Sequence, residues 1–162
     1  MSFTLNLAIC SLKDVIGNKY VGIDISSFLL SKQFDLWENS FPTENQFIEM
    51  RVNKAMRDKG KFHITVINVM EFNKLIKDDS DNKDKLEKLL GQTVKLELVG
   101  IGTAEDNKKG NIAHFIVVES PELDEIRNSF DMKKQDFHIT LGFDKKDVFG
   151  KSKAQDSIFI KF

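Results

Sequence analysis

Apolar positions along this chain recur with two periods, and the period tells strand from helix. Residues 3–9 (FTLNLAI) and 20–25 (YVGIDI) alternate or run apolar over strand length, which predicts two strands with Gly17-Asn18 as a hairpin turn between them. The stretch 28–41 is ambiguous, since Leu29, Leu30, Phe34 and Trp37 have helical spacing but lack caps. Thr43 followed by Glu44 and Gln46 predicts a capped helix start, with the helix running to a stop at Lys59-Gly60 and an apolar stripe of Phe47, Ile48, Val52, Ala55 and Met56. The segment KFHITVINVMEF that follows is apolar and β-branched, which predicts a strand, and residues 71–90 are charged and mostly helical, with KDDSDNKDK as a polar, mobile stretch. Residues 94–103 and 112–119 predict two strands joined by AEDNKKGN, a loop of turn formers that suits a hairpin. Ser120-Pro121-Glu122 opens a short helix with Leu123, Ile126 and Phe130 as its buried face. DFHITLGF predicts another strand, and residues 157–162 close the chain with a last one. Strand, helix and strand thus flank each of two similar segments, the pattern of an α+β domain.

Those two segments share a tetrapeptide. Phe62-His63-Ile64-Thr65 recurs as Phe137-His138-Ile139-Thr140, 75 residues on, and takes up two of the three histidines. Alternate strand residues point to opposite faces, so His63 and Thr65 share one face, as do His138 and Thr140. Phe62, Ile64 and Val66 in one copy, and Phe137, Ile139 and Leu141 in the other, supply the apolar face that anchors each strand. A chance repeat would not be expected to duplicate a scarce residue together with a hydroxyl two positions on and an apolar frame of the same phase. Facing strands of this kind would converge two imidazoles and two hydroxyls.

In these paired His-x-Thr motifs, their order and their spacing, the chain resembles the 2H phosphoesterase superfamily; the surrounding strand and helix pattern fits from about Tyr20 onward. The resemblance implies two pseudo-symmetric lobes of antiparallel sheet with flanking helices around a central cleft. It also implies metal-independent action on cyclic phosphates or 2′-linked phosphodiesters. Beyond the tetrapeptides the two halves share no detectable sequence, so the pseudo-symmetry is one of elements only.

Imidazole exchanges protons near neutral pH, so a matched pair, His63 and His138, can serve as base and acid in one phosphoryl transfer. The Thr65 and Thr140 hydroxyls are suited to hold the non-bridging phosphate oxygens. Phe72 and Phe143, which follow the motif strands, and Tyr20 are the candidates for stacking on a base. His114 sits alone in NIAHFIVVES without a following hydroxyl, and reads as structural or surface. A metal site from His63, His114 and His138 lacks the i,i+4 histidine spacing of helical zinc sites, and no cysteine cluster supports it. Gly150-Lys151-Ser152 echoes a phosphate-binding loop, but the glycine required five residues upstream is Lys145. Cys10 reads as a buried, inert thiol in a strand.

Composition narrows the substrate. With 162 residues, 41% hydrophobic and 30% charged, one domain spanning 1–162 is expected. A single cysteine and the lack of a leader-like or membrane-spanning apolar run point to a reducing, cytoplasmic setting with no membrane partner. Net charge is −1, whereas proteins that hold long nucleic acid usually carry a basic excess. No long double-stranded nucleic acid is therefore expected, and any positive patch must be local. Lys133, Lys134, Lys145, Lys146, Lys151 and Lys153 cluster around the second motif, offset by Asp131, Asp136, Asp144 and Asp147; a solvated lysine-rich surface is the plain reading of most of them. The resulting expectation is a cofactor-free phosphodiesterase acting on a nucleotide, cyclic nucleotide or short oligonucleotide. The alternatives are destruction of cyclic oligonucleotide signals, as in phage proteins that counter bacterial defence, and a non-catalytic nucleotide- or RNA-binding module.

Overall fold

Two antiparallel sheets divide the repeated tetrapeptides between them in the computed structural model, which describes residues 3–162. The smaller sheet orders Cys10–Lys13 (β2), Lys19–Ile25 (β3) and Phe62–Ile67 (β4), so the first motif lies on an edge strand. The larger orders Phe3–Ala8 (β1), Thr93–Asp106 (β5), Asn111–Glu119 (β6) and His138–Phe143 (β7), with the second motif again at an edge. Ile158–Lys161 (β8) pairs with β5 beyond the point where β1 ends. Helices flank both sheets, so the fold is mixed α+β, and β4 runs close beside β7. No described helix is long and apolar enough to cross a membrane.

Several elements differ from the sequence expectation, each for a local reason. The predicted strand 3–9 is not the partner of 20–25: β1 pairs with β5, and it is β2 that forms the hairpin with β3. The chain changes sheets at Ile9, whose N–H and C=O bond to the Gly91-Gln92 turn. The hairpin turn is organised by Asp14, whose carboxylate accepts from the backbone of Ile16 and Asn18 while Gly17 takes a φ of +90°. Cys10 is half-buried on β2 rather than enclosed.

The ambiguous stretch 28–41 forms a 3-10 turn, Ser27–Leu30, leading into the helix Ser31–Asn39 (α1). The next helix, Glu44–Asp58 (α2), begins without the expected Thr43 side-chain cap and stops at Lys59 and Gly60, both at positive φ. Its buried face is Phe47, Met50 and Lys54, so the predicted stripe holds at Phe47 alone; Ile48, Val52, Ala55 and Met56 are exposed. Packing against β7 accounts for the rotation. A Cβ on Gly142 would stand 2.6 Å from the Met50 carbonyl oxygen, so only glycine lets the helix backbone come this near the second motif strand.

The first motif strand is shorter than KFHITVINVMEF suggested because Asn68 caps a helix. Asn68 Oδ1 accepts from the Glu71 N–H at 2.8 Å and Glu71 Oε1 accepts from the Asn68 N–H at 3.1 Å, a capping box that starts Val69–Asp78 (α3). The polar stretch 77–85 is broken only at Asp79-Ser80 and continues as Asp81–Leu89 (α4). The β5–β6 hairpin forms as expected. So does the short helix Pro121–Ser129 (α5), with Ser120 accepting from the Leu123 N–H.

One guanidinium ties these pieces together. Arg127 on α5 is 3% exposed; it donates to the Val66 carbonyl at the end of β4 (2.8 Å), to both carboxylate oxygens of Glu71 (3.1 and 2.8 Å) and to the Lys133 carbonyl on the way to β7 (2.9 Å). Removing one member of such a buried pair leaves a desolvated partner, which is costly, whereas removing both is far less so. Arg127→Met is therefore expected to lower stability by about 3 kcal/mol in urea melts, and the double variant Arg127→Met/Glu71→Gln to recover part of the loss.

Candidate active site

A cavity of about 920 Å³ opens where β4 and β7 come together, and all four motif residues, His63, Thr65, His138 and Thr140, line it. Strand pleating explains the convergence: in β4 the even-numbered Phe62, Ile64 and Val66 are buried in the core and the odd-numbered pair faces the cavity. Further walls come from the β2–β3 hairpin, including Val15, Tyr20 and Asp24, from the end of α2 at Arg57 and Asp58, and from Asp147, Phe149 and Lys153 after β7. Gln135, which donates to the Thr65 carbonyl, also lines it and links the run-in of β7 to β4.

His138 is held in one tautomer. Its Nδ1 lies 2.8 Å from the Asp136 carbonyl oxygen, which can only accept, so Nδ1 carries the proton and Nε2 is the acceptor. Nε2 accepts from the Lys153 ammonium at 3.4 Å. Burial, reinforced by the Lys153 charge, pushes His138 down to about 4. His63 is also lowered by burial, but here the Asp58 carboxylate works against the shift. The Tyr20 ring stands edge-on to His63, centroids 5.8 Å apart, and burial next to Asp58 raises its phenol, which stays protonated at neutral pH.

A ladder of alternating charge flanks the two imidazoles. Lys54 pairs with Asp58 at 2.9 Å, Arg57 with Asp58 at 2.8 Å and with Asp147 at 2.7 Å, and Lys153 stands 3.6 Å from Asp147. Burial alone would raise the Asp58 and Asp147 carboxyls; the cations hold both below their ordinary range. Burial lowers Lys54 and Lys153 despite their carboxylate partners. Five cationic side chains and four carboxylates line the cavity, so its field is mixed and only slightly positive.

The remaining candidates fall elsewhere. Phe143 is 3% exposed and packs beneath Arg57, and Phe72 packs on the main core; neither borders the cavity, while Tyr20 does. His114 accepts from Trp37 Nε1 at 2.8 Å on the far side of the larger sheet's edge pair, away from the other two histidines, and burial takes it down to about 4. Ser152 donates to Asp156 within a turn. Among the described residues no group of three His, Cys, Asp or Glu side chains is arranged to hold a metal ion. Of the lysines near the second motif, five are exposed, but Lys153 is 6% exposed and reaches the site. Sequence reading had no means of separating it from its neighbours, because residues 144–157 follow no period. Arg57, Asp58 and Asp147 were equally hidden, and Phe149, 79% exposed at the cavity wall, was passed over.

Comparison with known proteins adds one match. The family model described as Swiss Army Knife, 2H phosphoesterase domain, covers residues 30–149, and so takes in both tetrapeptides but leaves out β1 to β3 and Lys153. No curated protein and no solved structure matches the chain.

The folded protein holds its histidines neutral, and the consequence for pH can be signed. The imidazoles of His114 and His138 take a proton near 6.5 in the unfolded chain but only at about 4 in the folded one, so stability is lost as pH falls through the interval between these values. Histidine NMR titration of the free protein is expected to show two midpoints near 4 and a third, His63, below 6.5.

Proposed function

This chain belongs to the 2H phosphoesterase family, and we propose that it is a metal-independent phosphodiesterase in which His63 and His138 act as the acid–base pair. The observation that carries the reading is the meeting of both His-x-Thr pairs on one cavity. A phosphate seated between them would have an imidazole on either side. One removes a proton from the attacking water as the new P–O bond forms; the other protonates the leaving oxygen as its bond to phosphorus breaks. Thr65 and Thr140 donate to non-bridging oxygens, where charge concentrates in the transition state. With a 2′,3′-cyclic phosphate the same step opens the ring to a monoester.

The substrate class follows from size and charge. A cavity of about 920 Å³ lies at the upper end of the small-ligand range of roughly 300–1,000 Å³, which suits a nucleotide, a cyclic nucleotide or a short oligonucleotide. Its nearly balanced lining and the net charge of −1 give no extended basic track for a duplex. That Tyr20 lines the cavity edge-on to His63 supports it as the residue that borders a base or ribose. The placement of one motif strand in each sheet supports reading the two sheets as the halves of a pseudo-symmetric pair around a cleft.

Turnover of a panel of 2′,3′-cyclic mononucleotides, 2′–5′ oligoadenylate and cyclic dinucleotides, measured with EDTA present, tests the proposal. His63→Ala and His138→Ala are each expected to reduce kcat by about 10²–10⁴ with little change in substrate affinity, and the double variant to be scarcely worse than either. Activity abolished by EDTA and restored by zinc would replace the acid–base scheme. A wild type that binds a panel member yet turns over none faster than the double variant would make the protein a binding module.

A further inference from the structure

Lys153 is the least explained group in the cavity. Its ammonium is enclosed beside an imidazole, and its one carboxylate neighbour, Asp147 at 3.6 Å, lies beyond ordinary hydrogen-bond length and already serves Arg57 at 2.7 Å. An ammonium buried for stability alone would sit closer to its counter-ion and away from a second basic group. The placement is nevertheless enforced. The Lys153 N–H donates to Asp136 Oδ2 at 3.0 Å, and the carbonyl of that same Asp136 receives His138 Nδ1–H. One residue therefore sets the position of both partners, while the Lys153 ammonium lies over the Phe115 and Phe149 rings at 5.4 and 5.6 Å.

The foremost charged neighbour differs between the two imidazoles, a cation for His138 and a carboxylate for His63. His138 faces Lys153 and, farther off, Asp147 from the segment after β7, with His63 across from it on β4. His63 faces Asp24, its register partner on β3, and Asp58 at the end of α2, with Lys54 and Arg57 behind them. Resting on the acid–base reading above, we propose that Lys153 is the phosphate-holding cation of this site and that its position gives His138 the base's role and His63 the acid's.

The Nε2 lone pair of His138, kept unprotonated by burial and the adjacent ammonium, accepts from that ammonium and becomes available to the proton of the attacking water once the ammonium moves to the substrate. On substrate entry the ammonium turns to a non-bridging oxygen, and the phosphate's negative charge offsets its repulsion of the imidazolium formed in the step. His63, neutral in the free protein, takes up a proton as the phosphate binds, helped by Asp58 and Asp24, and gives it to the leaving oxygen. One proton is taken up and one released, and solvent exchange resets the pair. Lys153 lies outside the segment that matches the family model, so this charge comes from the chain's own C-terminal stretch.

Two substrates separate the roles: 2′,3′-cyclic AMP, whose leaving oxygen needs a proton, and bis(p-nitrophenyl) phosphate, whose leaving group does not. His63→Ala is expected to lose about 10²-fold or more on the first and far less on the second, whereas His138→Ala loses on both. Lys153→Met should raise KM about tenfold or more and move the acid limb of kcat/KM, which reports the base, to higher pH. Lys153→Arg, which keeps the charge, should retain most activity and the wild-type limb, and it also controls for folding. A Lys153→Met variant with wild-type KM and pH limb overturns the role of Lys153 while leaving the two histidines in place. So does a Lys153→Arg variant as defective as Lys153→Met, which would mark a proton-transferring lysine, and the reverse pattern for the two alanine variants exchanges acid and base. Wild-type protein inactive on both substrates and on the panel removes the phosphoesterase reading itself.

Discussion

The arrangement of this protein depends on a buried guanidinium. The two motif strands belong to different sheets, and no ladder of backbone hydrogen bonds joins them. What holds them in fixed relation is Arg127, which reaches from α5 to the end of β4, to the first turn of α3 and to the run-in of β7. A guanidinium can do this because its five donors radiate in a plane and none can be lost to deprotonation. Gln135 adds a second tie, directly to the backbone of Thr65. Apolar packing can bring two sheets together, but it tolerates sliding; directional bonds to carbonyl oxygens fix the register at which two imidazoles meet.

From that junction the charged side chains form a second layer of order. Lys54, buried on the packing face of α2 with its ammonium 4.0 Å above the Phe62 ring, begins a sequence of alternating charges that passes through Asp58, Arg57 and Asp147 to Lys153. Each member is partly desolvated, and none would be stable there alone. The helix that supplies three of them is pressed onto β7 at Gly142, so the same close approach that seats α2 also carries Arg57 and Asp58 to the cavity wall.

The sequence made the motif strands, their common face and the hairpin of β5 and β6 legible, because a period of two over β-branched residues leaves little else for them to be. It misled where periodicity is silent about destination. Alternation from residue 3 onward does not reveal that the chain leaves one sheet at Ile9 and joins another. The apolar run through Val66, Ile67, Val69 and Met70 concealed a helix start that Asn68 and Glu71 spell out in capping terms. On α2 the hydrophobic stripe was right at Phe47 but then strayed from the buried face, where a lysine, Lys54, takes the place of an apolar residue. The histidines and threonines of the site could be named in advance since they are repeated; Arg57, Asp58, Asp147 and Lys153 could not, since they are brought in by tertiary contacts from segments with no pattern of their own.

The lowered proton affinity of His63 and His138 has a thermodynamic consequence. On the proposed function, a phosphate anion entering beside them would raise their affinity for protons, so binding and proton uptake would be linked processes. The complex then holds more protons than its separated parts, and by reciprocity its formation weakens as pH rises. Heat measured on binding would depend on the ionisation enthalpy of the buffer. Burial, which strips these side chains of charge, would thereby make a phosphate ligand itself the agent that charges the site.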